Sequence, residues 1–150
     1  METFKTGLSF TAFWRPYKGR IRFEFPQIVD CFGEAANQDK LPEAAKNVLE
    51  DALRGQLADI AKLPDWPQLH RRPTSVEERL VVKLSANMVI AIQFRRMRLM
   101  KGWSQADLAS TVGVSQQQIA RLEDPDCNPT IDTVSRVARA FDEPLMVMFG

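Results

Sequence analysis

Residues 102–123 read Gly-Trp-Ser-Gln-Ala-Asp-Leu-Ala-Ser-Thr-Val-Gly-Val-Ser-Gln-Gln-Gln-Ile-Ala-Arg-Leu-Glu, and this stretch decides the fold of the second half of the chain. Its small, apolar and polar positions fit two helices joined by a tight turn. Ala109 is small enough to let the helices approach closely, and Gly113 can adopt the left-handed backbone that a sharp turn needs. Ile119 and Leu122 are expected to face inward. The pattern predicts a helix-turn-helix.

The same spacing leaves three consecutive glutamines, Gln116, Gln117 and Gln118, on the outer side of the second helix. A glutamine amide can donate to and accept from one base edge, so glutamines at the start of a helix can read a sequence in a major groove. A glutamine triplet on an exposed helix is more often only solvated, but the surrounding turn pattern favours a reading role here. We therefore predict binding to double-stranded operator DNA.

The composition is that of a folded protein with little charge bias. The 150 residues are 45% hydrophobic and 26% charged, which is enough for one moderate core or two small ones. A net charge of +1 argues against coating nucleic acid by bulk attraction, although a local basic patch remains compatible with it. No apolar run is long enough to span a bilayer and residues 1–6 lack a signal-peptide core, so a cytoplasmic protein is expected.

The two cysteines, Cys31 and Cys127, lie in different regions and form no metal-binding or redox spacing. We expect both to be reduced structural thiols.

Strand patterns dominate the first third of the chain. Alternation of apolar and polar residues predicts a strand over residues 4–14, a turn over 15–19 and a second strand over 21–25. A short apolar piece at 28–32 is predicted to be a third strand. The pattern then changes to helical spacing over 41–60.

The limits of that helix and of the next elements are marked by polar and proline residues. Asp39 is expected to cap the helix, and Pro42 falls in its first turn, where a missing amide proton costs little. A proline-rich connector follows at about 63–76, and a further strand is predicted over 77–83. Ser85 can cap a long helix that Gly102 ends.

This order predicts an α+β fold with two domains. Residues 1–84 have the order β-β-β-α-β, which implies a helix covering one face of a mostly antiparallel sheet. Residues 85–150 are predicted to be an all-α helix-turn-helix domain.

The second domain resembles the helix-turn-helix domain of Cro and phage repressors, the XRE type, over residues 97–141. Three pieces carry the resemblance: Ser104-Gln-Ala-Asp-Leu-Ala, Val114-Ser-Gln-Gln-Gln-Ile and Arg121-Leu-Glu. The resemblance implies that six residues contact DNA: Gln105, Ser115, Gln116, Gln117, Gln118 and Arg121. Gln105 would touch the backbone, and the others would meet base edges or flanking phosphates. Since one such domain reads few base pairs, a homodimer or higher homo-oligomer on inverted half-sites is expected.

Other features of the second domain have two interpretations. Arg95, Arg96, Arg98 and Lys101 form a basic run that can contact phosphates, but the resemblance gives Arg98 a structural pairing with Glu123, which we favour. The apolar tail, residues 143–149, is expected either to pair with its twin across a dimer axis or to pack on its own helices. Three aspartates dilute the positive field that phosphate binding needs: Asp124, Asp126 and Asp132.

The first domain is similar to HicB antitoxins. The resemblance rests on Phe25-Pro-Gln-Ile-Val-Asp-Cys31, on Glu34, on the turn near Asp39 and on the helix that follows. Longer members of that family carry a repressor-type domain after a strand. The resemblance implies a partial ribonuclease-H-like layout, neutralisation of a small HicA-type RNA-cleaving toxin, and repression of the operon that encodes both proteins. The alternative is a stand-alone phage-type repressor whose first domain senses a ligand or oligomerises.

The first domain contains three aromatic residues that are candidates for contact with a partner protein. Phe13, Trp14 and Tyr17 are candidates for toxin contact, although aromatic residues are more often part of a core.

The single histidine, His70, lies in the proline-rich connector, and the acidic residues Asp30, Glu34 and Asp39 do not share a strand end. We expect no enzymatic activity, no metal and no cofactor.

Overall fold

The computed structural model describes residues 9–60 and 72–142. The strands are β1 (Ser9–Tyr17), β2 (Arg20–Glu24), β3 (Phe32–Ala35) and β4 (Glu78–Lys83). The helices are α1 (Leu41–Ile60), α2 (Ala86–Met100), α3 (Gln105–Val112), α4 (Gln116–Leu122) and α5 (Ile131–Ala140). The predicted order of an α+β part followed by helices is confirmed.

These residues divide into two compact units. The front unit comprises residues 9–57 and 72–84, and the back unit comprises 58–60 and 85–142. Within the described residues, no helix is both long enough and apolar enough to cross a membrane.

The front unit is built on a four-stranded sheet of order β3-β2-β1-β4, in which each neighbouring pair is antiparallel. Alternate residues of each strand point to the same side of the sheet. On one side these residues are mostly apolar, so that face of the sheet is apolar. Its buried members include Phe10, Ala12, Trp14, Ile21 and Phe23. The prediction of a mostly antiparallel sheet is therefore confirmed.

Helix α1 covers this apolar face with a stripe of buried residues at a spacing of four: Leu41, Ala45, Leu49 and Leu53. The helix and the sheet approach closely at Gly33 of β3. A Cβ atom there would lie 2.7 Å from the ring of Phe23 and 3.1 Å from a methyl group of Val48. Glycine is therefore required for this packing.

The hairpin between β1 and β2 is tighter than predicted. Strand β1 continues to Tyr17, and the turn consists only of Lys18 and Gly19, with φ of 49° and 75°. Positive φ at both central residues is typical of the two-residue type I′ turn. Pro16 is tolerated in the strand because β4 pairs with β1 only as far as Trp14, so Pro16 has a neighbour on one side only. Residues 4–8 of the predicted strand lie outside the described residues.

The predicted third strand at 28–32 is wrong, since β3 spans Phe32–Ala35. The segment before it is a turn in which the amide of Phe25 donates to the carbonyl of Cys31 at 2.8 Å. Asp30 has a left-handed φ of 55°, which ends the extended conformation. The apolar residues Ile28 and Cys31 are buried from a loop rather than from a strand.

The start of α1 also differs slightly from the prediction. The amide of Ala44 donates to the carbonyl of Lys40, so Lys40 rather than Asp39 occupies the cap position. The side chain of Asn37 accepts from the Lys40 amide at 3.0 Å. Pro42 lies in the first turn, as predicted.

The back unit packs four helices around one apolar cluster. Its most buried large members are Phe94, Leu108, Ile119, Leu122 and Val137. The ring of Phe141 stacks on Trp103 at 5.7 Å and on Phe94 at 6.3 Å, which links the end of α5 to the middle of α2 and to the segment after α2.

Helix α2 begins and ends where the sequence predicts. Ser85 has the extended dihedral angles of an N-cap, although its hydroxyl makes no capping hydrogen bond. Gly102, with φ of 68°, follows the helix. The amide of Gly102 donates to Leu99, and that of Trp103 donates to Arg98. This pair of bonds is a Schellman motif, for which a glycine is the preferred residue.

Candidate nucleic-acid interface

The first helix of the motif, α3, is fixed at both ends by local hydrogen bonds. The Ser104 hydroxyl accepts from the Asp107 amide at 3.1 Å, and the Asp107 carboxylate accepts from the Ser104 amide at 2.7 Å. This reciprocal capping box lowers the pKa of Asp107, because the hydrogen bonds from Ser104 favour its charged form. At the other end, the amide of Gly113, with φ of 74°, donates to the carbonyl of Ala109. The predicted turn glycine is thereby confirmed.

The second helix, α4, begins with a second capping box. The Ser115 hydroxyl accepts from the Gln118 amide at 3.2 Å, and the Gln118 side-chain oxygen accepts from the Ser115 amide at 2.9 Å. The side chain of Gln118 therefore reaches back along the helix end. Two of the six predicted DNA-contacting residues thus also stabilise α4.

The outer face of α4 carries the remaining polar side chains of this helix. Gln116, Gln117 and Arg121 are exposed, while Ile119 and Leu122 are buried on the opposite side. Gln117 and Arg121 are four residues apart and share a face. In the described part of the chain, no side-chain hydrogen bond or ion pair engages these three residues. They are therefore available to an external ligand.

Glu123, at the end of α4, holds the motif together from inside. It is 1% exposed and accepts from Arg98 at 2.6 and 2.9 Å. It also accepts from Arg95 at 3.5 Å and from Gln105 at 3.1 Å. We call Glu123, Arg95, Arg98 and Gln105 the Glu123 cluster. It connects α2, the start of α3 and the end of α4.

The geometry confirms the structural pairing predicted for Arg98. Its guanidinium also donates to the carbonyl of Trp103 at 2.8 Å. The hydrogen bond to Glu123 raises the pKa of Arg98 against the opposing effect of burial. A buried carboxylate is stable here because several donors surround it.

Gln105 lies in a different setting from the other predicted contacts. It is half-buried, and its side-chain nitrogen donates to Glu123. One amide proton and the side-chain oxygen remain for a further partner. The structure thus places Gln105 in the Glu123 cluster and separates it from the outer face of α4.

The basic run of α2 contributes little exposed charge. Arg96 and Arg98 are buried, and Arg95 contacts Glu123, which leaves Lys101 as the exposed member of the run. The ammonium group of Lys101 lies 5.4 Å from the Trp103 ring. Three exposed aspartates follow α4 or begin α5: Asp124, Asp126 and Asp132. The surface around α4 is therefore close to neutral.

Sequence reasoning missed both capping boxes and the role of Gln105. The boxes have a readable signal, since serine is followed three residues later by Asp107 in one case and by Gln118 in the other. The bond between Gln105 and Glu123 spans 18 residues and has no local signal.

The helix-turn-helix family model matches residues 94–147. This part of the chain is a helix-turn-helix domain of the Cro/C1, XRE-like type, and it supports a DNA-binding, transcription-regulating role. The match begins within α2 and does not extend to the front unit. No curated protein matches the chain.

In the front unit, two of the three aromatic candidates for partner contact belong to the interior. Phe13 is 1% exposed and Trp14 is 7% exposed, so the core interpretation holds for both. Tyr17 is half-buried, and the guanidinium of Arg22 lies 3.7 Å from its ring centroid. The large exposed apolar side chains of the sheet are instead Phe32 and Val81.

Within residues 9–60 and 72–142, no cluster of His, Cys, Asp and Glu could hold a metal ion. Glu34 pairs with Arg20 and Arg22 at 3.3 and 3.1 Å. His70 lies outside the described residues.

Cys31 and Cys127 are free thiols, and Cys31 is buried. Burial raises the pKa of Cys31 to about 11. A thiol with so high a pKa is a packing residue rather than a nucleophile.

Proposed function

We propose that this chain is a sequence-specific transcriptional repressor that reads operator DNA with the outer face of α4. The observation that carries this proposal is the contrast in hydrogen bonding around that helix. Ser115, Gln118 and Gln105 are engaged by neighbouring groups, whereas Gln116, Gln117 and Arg121 are exposed and have no side-chain partner among residues 9–60 and 72–142.

The exposed groups fit base edges in a major groove. A glutamine amide pairs in a bidentate manner with adenine, and an arginine guanidinium pairs with guanine. Ser115 and Gln118 are assigned to the capped end of α4; the Ser115 hydroxyl donates to the Gln118 side-chain oxygen, and the side-chain NH2 group of Gln118 can meet a phosphate. Binding as a dimer on inverted half-sites follows from the few base pairs that one helix reads. The tail at 143–149, a candidate dimerising strand, lies outside the described residues.

The experiment is selection of a preferred duplex with the full chain, followed by footprinting of a Gln116→Ala/Gln117→Ala variant. The variant is expected to lose sequence-specific protection while keeping its far-UV circular dichroism and melting temperature. Gln38→Ala, at an exposed glutamine of the front unit, is the matched control and should protect normally. Unaltered footprints from a folded double variant would reject α4 as the reading helix.

For the front unit, we propose the role of a HicB-type antitoxin domain with a partial ribonuclease-H-like layout. It would bind a HicA-type RNA-cleaving toxin without itself being a catalyst. Besides the resemblance of residues 25–31, the support is the outer sheet face. There the exposed Phe32 and several charged residues line a groove of about 550 Å³, and Val81 is exposed on β4. Exposed apolar residues with polar neighbours are typical of protein interfaces.

This second proposal is tested by growth rescue. The full chain is co-expressed with a HicA-type toxin, and Phe32→Asp/Val81→Asp is expected to lose protection while retaining operator binding. Met100→Asp changes an equally exposed apolar residue of the back unit and should protect normally. A wild-type chain that binds its operator but neither binds nor neutralises the toxin would favour the stand-alone repressor instead.

A further inference from the structure

The tip of the β1–β2 hairpin gathers four cationic side chains on the outer face of the sheet, opposite the face that α1 covers. Alternation along the two strands places three of them on that face, and the fourth belongs to the turn. They are Arg15, Arg20, Arg22 and Lys18. All four side chains are at least partly exposed. We call this set the hairpin cations.

Two features of the hairpin lower the stability of the folded chain. Arg15 lies directly opposite Arg22 in the strand register, and like charges in that position destabilise a sheet. Lys18 has a left-handed φ of 49°, where glycine, asparagine or aspartate is preferred. Local choices that oppose the fold are expected at functional sites.

The charge of the hairpin cations is only partly compensated. Glu34 forms ion pairs with both Arg20 and Arg22. Glu24, which lies opposite Phe13, and Glu77, which accepts from the Thr74 amide, line one groove with Arg15 and Arg22 and offset part of their charge. The tip therefore keeps a net positive charge.

The aromatic ring at the tip is occupied by these cations. The Arg22 guanidinium lies 3.7 Å from the Tyr17 ring centroid, and the Lys18 ammonium lies 5.3 Å from it. A ring engaged by cations is not an open platform for an unpaired base. The tip thus favours phosphate groups of a duplex over single-stranded nucleic acid.

The back unit, by contrast, exposes no excess of cations over carboxylates. Residues 85–142 expose four cations, Lys101, Arg121, Arg136 and Arg139, and five aspartates, Asp107, Asp124, Asp126, Asp132 and Asp142. Phosphate neutralisation supplies much of the affinity of DNA-binding proteins. The hairpin cations carry the excess of positive charge that residues 85–142 lack.

From these observations we propose that the hairpin cations bind backbone phosphates of duplex DNA and supply sequence-independent affinity. This inference rests on the proposed repressor function. It adds a second DNA-contacting surface, on the front unit, which carries no information about sequence.

The test uses the variant Arg15→Gln/Lys18→Asn, made in the whole 150-residue chain. Its affinity is measured for the selected operator and for an unrelated duplex at several salt concentrations. Both affinities should fall by the same factor, so their ratio is unchanged. The slope of log K against log salt should become shallower by about one to two, at roughly 0.9 for each phosphate that the variant no longer neutralises. Asparagine is used because it tolerates the left-handed turn position.

The matched control is Lys40→Gln/Arg54→Gln, which removes two exposed cations near acidic residues at the start and middle of α1. An equal slope for the hairpin variant and this control would overturn the inference, as would stronger hairpin-dependent binding to single-stranded RNA than to duplex. Failure of the repressor function is recognised separately, because Gln116→Ala/Gln117→Ala would then keep the operator preference. A wild-type chain that binds no duplex would contradict both the proposed repressor function and the role of the hairpin cations.

Discussion

The helix-turn-helix and the front sheet are organised by different kinds of contact. Around α3 and α4, most polar side chains have partners within four residues or belong to the Glu123 cluster, and the candidate site consists of Gln116, Gln117 and Arg121, which have no side-chain partner in the described part of the chain. The sheet is held by pairings between distant residues, and its outer face keeps charged and apolar groups exposed together. A DNA-reading surface is thus more easily recognised than a protein-docking surface, because its polar side chains lack partners among the described residues while most polar side chains around them are hydrogen-bonded.

The largest expected effect comes from breaking the Glu123 cluster. Glu123→Ala leaves the Arg98 guanidinium buried without its carboxylate, which should lower the free energy of unfolding by about 3–5 kcal/mol. Unfolding in guanidinium chloride, followed by circular dichroism, measures this loss of stability. Arg98→Met/Glu123→Leu removes both charges and should recover part of the stability. A loss below about 1 kcal/mol for the single variant would show that the pair behaves like an exposed one.

The second prediction concerns the close packing in the front unit. Gly33→Ala brings a Cβ atom within 2.7 Å of the buried Phe23 ring, and overpacking of this kind costs about 1–3 kcal/mol. Gly55→Ala is the control, because no atom lies within 4 Å of its Cβ position in α1. That variant should gain about 0.5–1 kcal/mol from helix propensity. Equal stabilities of the two variants would refute the packing argument.

The sequence predicts the two units unequally well, and the reason is the range of the contacts. Gly102 and Gly113 are recognisable because a helix end is a local event, determined by a few neighbouring residues. The end of β1 at Tyr17 and the place of β3 depend on pairing with β2, which no short window of sequence contains. Likewise, the outward position of Gln117 follows from helical period alone, whereas the inward bond of Gln105 requires the assembled motif.

Removing a capping box of the helix-turn-helix is expected to lower the stability by a smaller amount. Ser115→Ala removes the hydroxyl that accepts from the Gln118 amide, which should cost about 1 kcal/mol and weaken operator binding. Ser110→Ala, at an exposed position within α3, should cost nothing, because alanine is the better helix former. Thermal unfolding and operator titration of both variants check this. Similar losses for the two serines would show that capping contributes little to α4.

The smallest expected effect is a dependence of stability on pH that arises at α3 and has a definite sign. The pKa of Asp107 is lower in the folded chain than its ordinary value of 3.8, so the folded state binds its proton less tightly than the unfolded state. The charged Asp107 carboxylate therefore contributes fully to the free energy of unfolding at pH values above 3.8. This contribution is lost as the pH falls through the lower pKa that Asp107 has in the folded chain. Unfolding free energies of wild type and Asp107→Asn should differ most at neutral pH and converge in acid. Ser104→Ala, which removes one of the hydrogen bonds to the carboxylate, should reduce the same pH dependence. If the curves of wild type and Asp107→Asn instead remained parallel down to the acid limit, the capping box would not be the source of the shift.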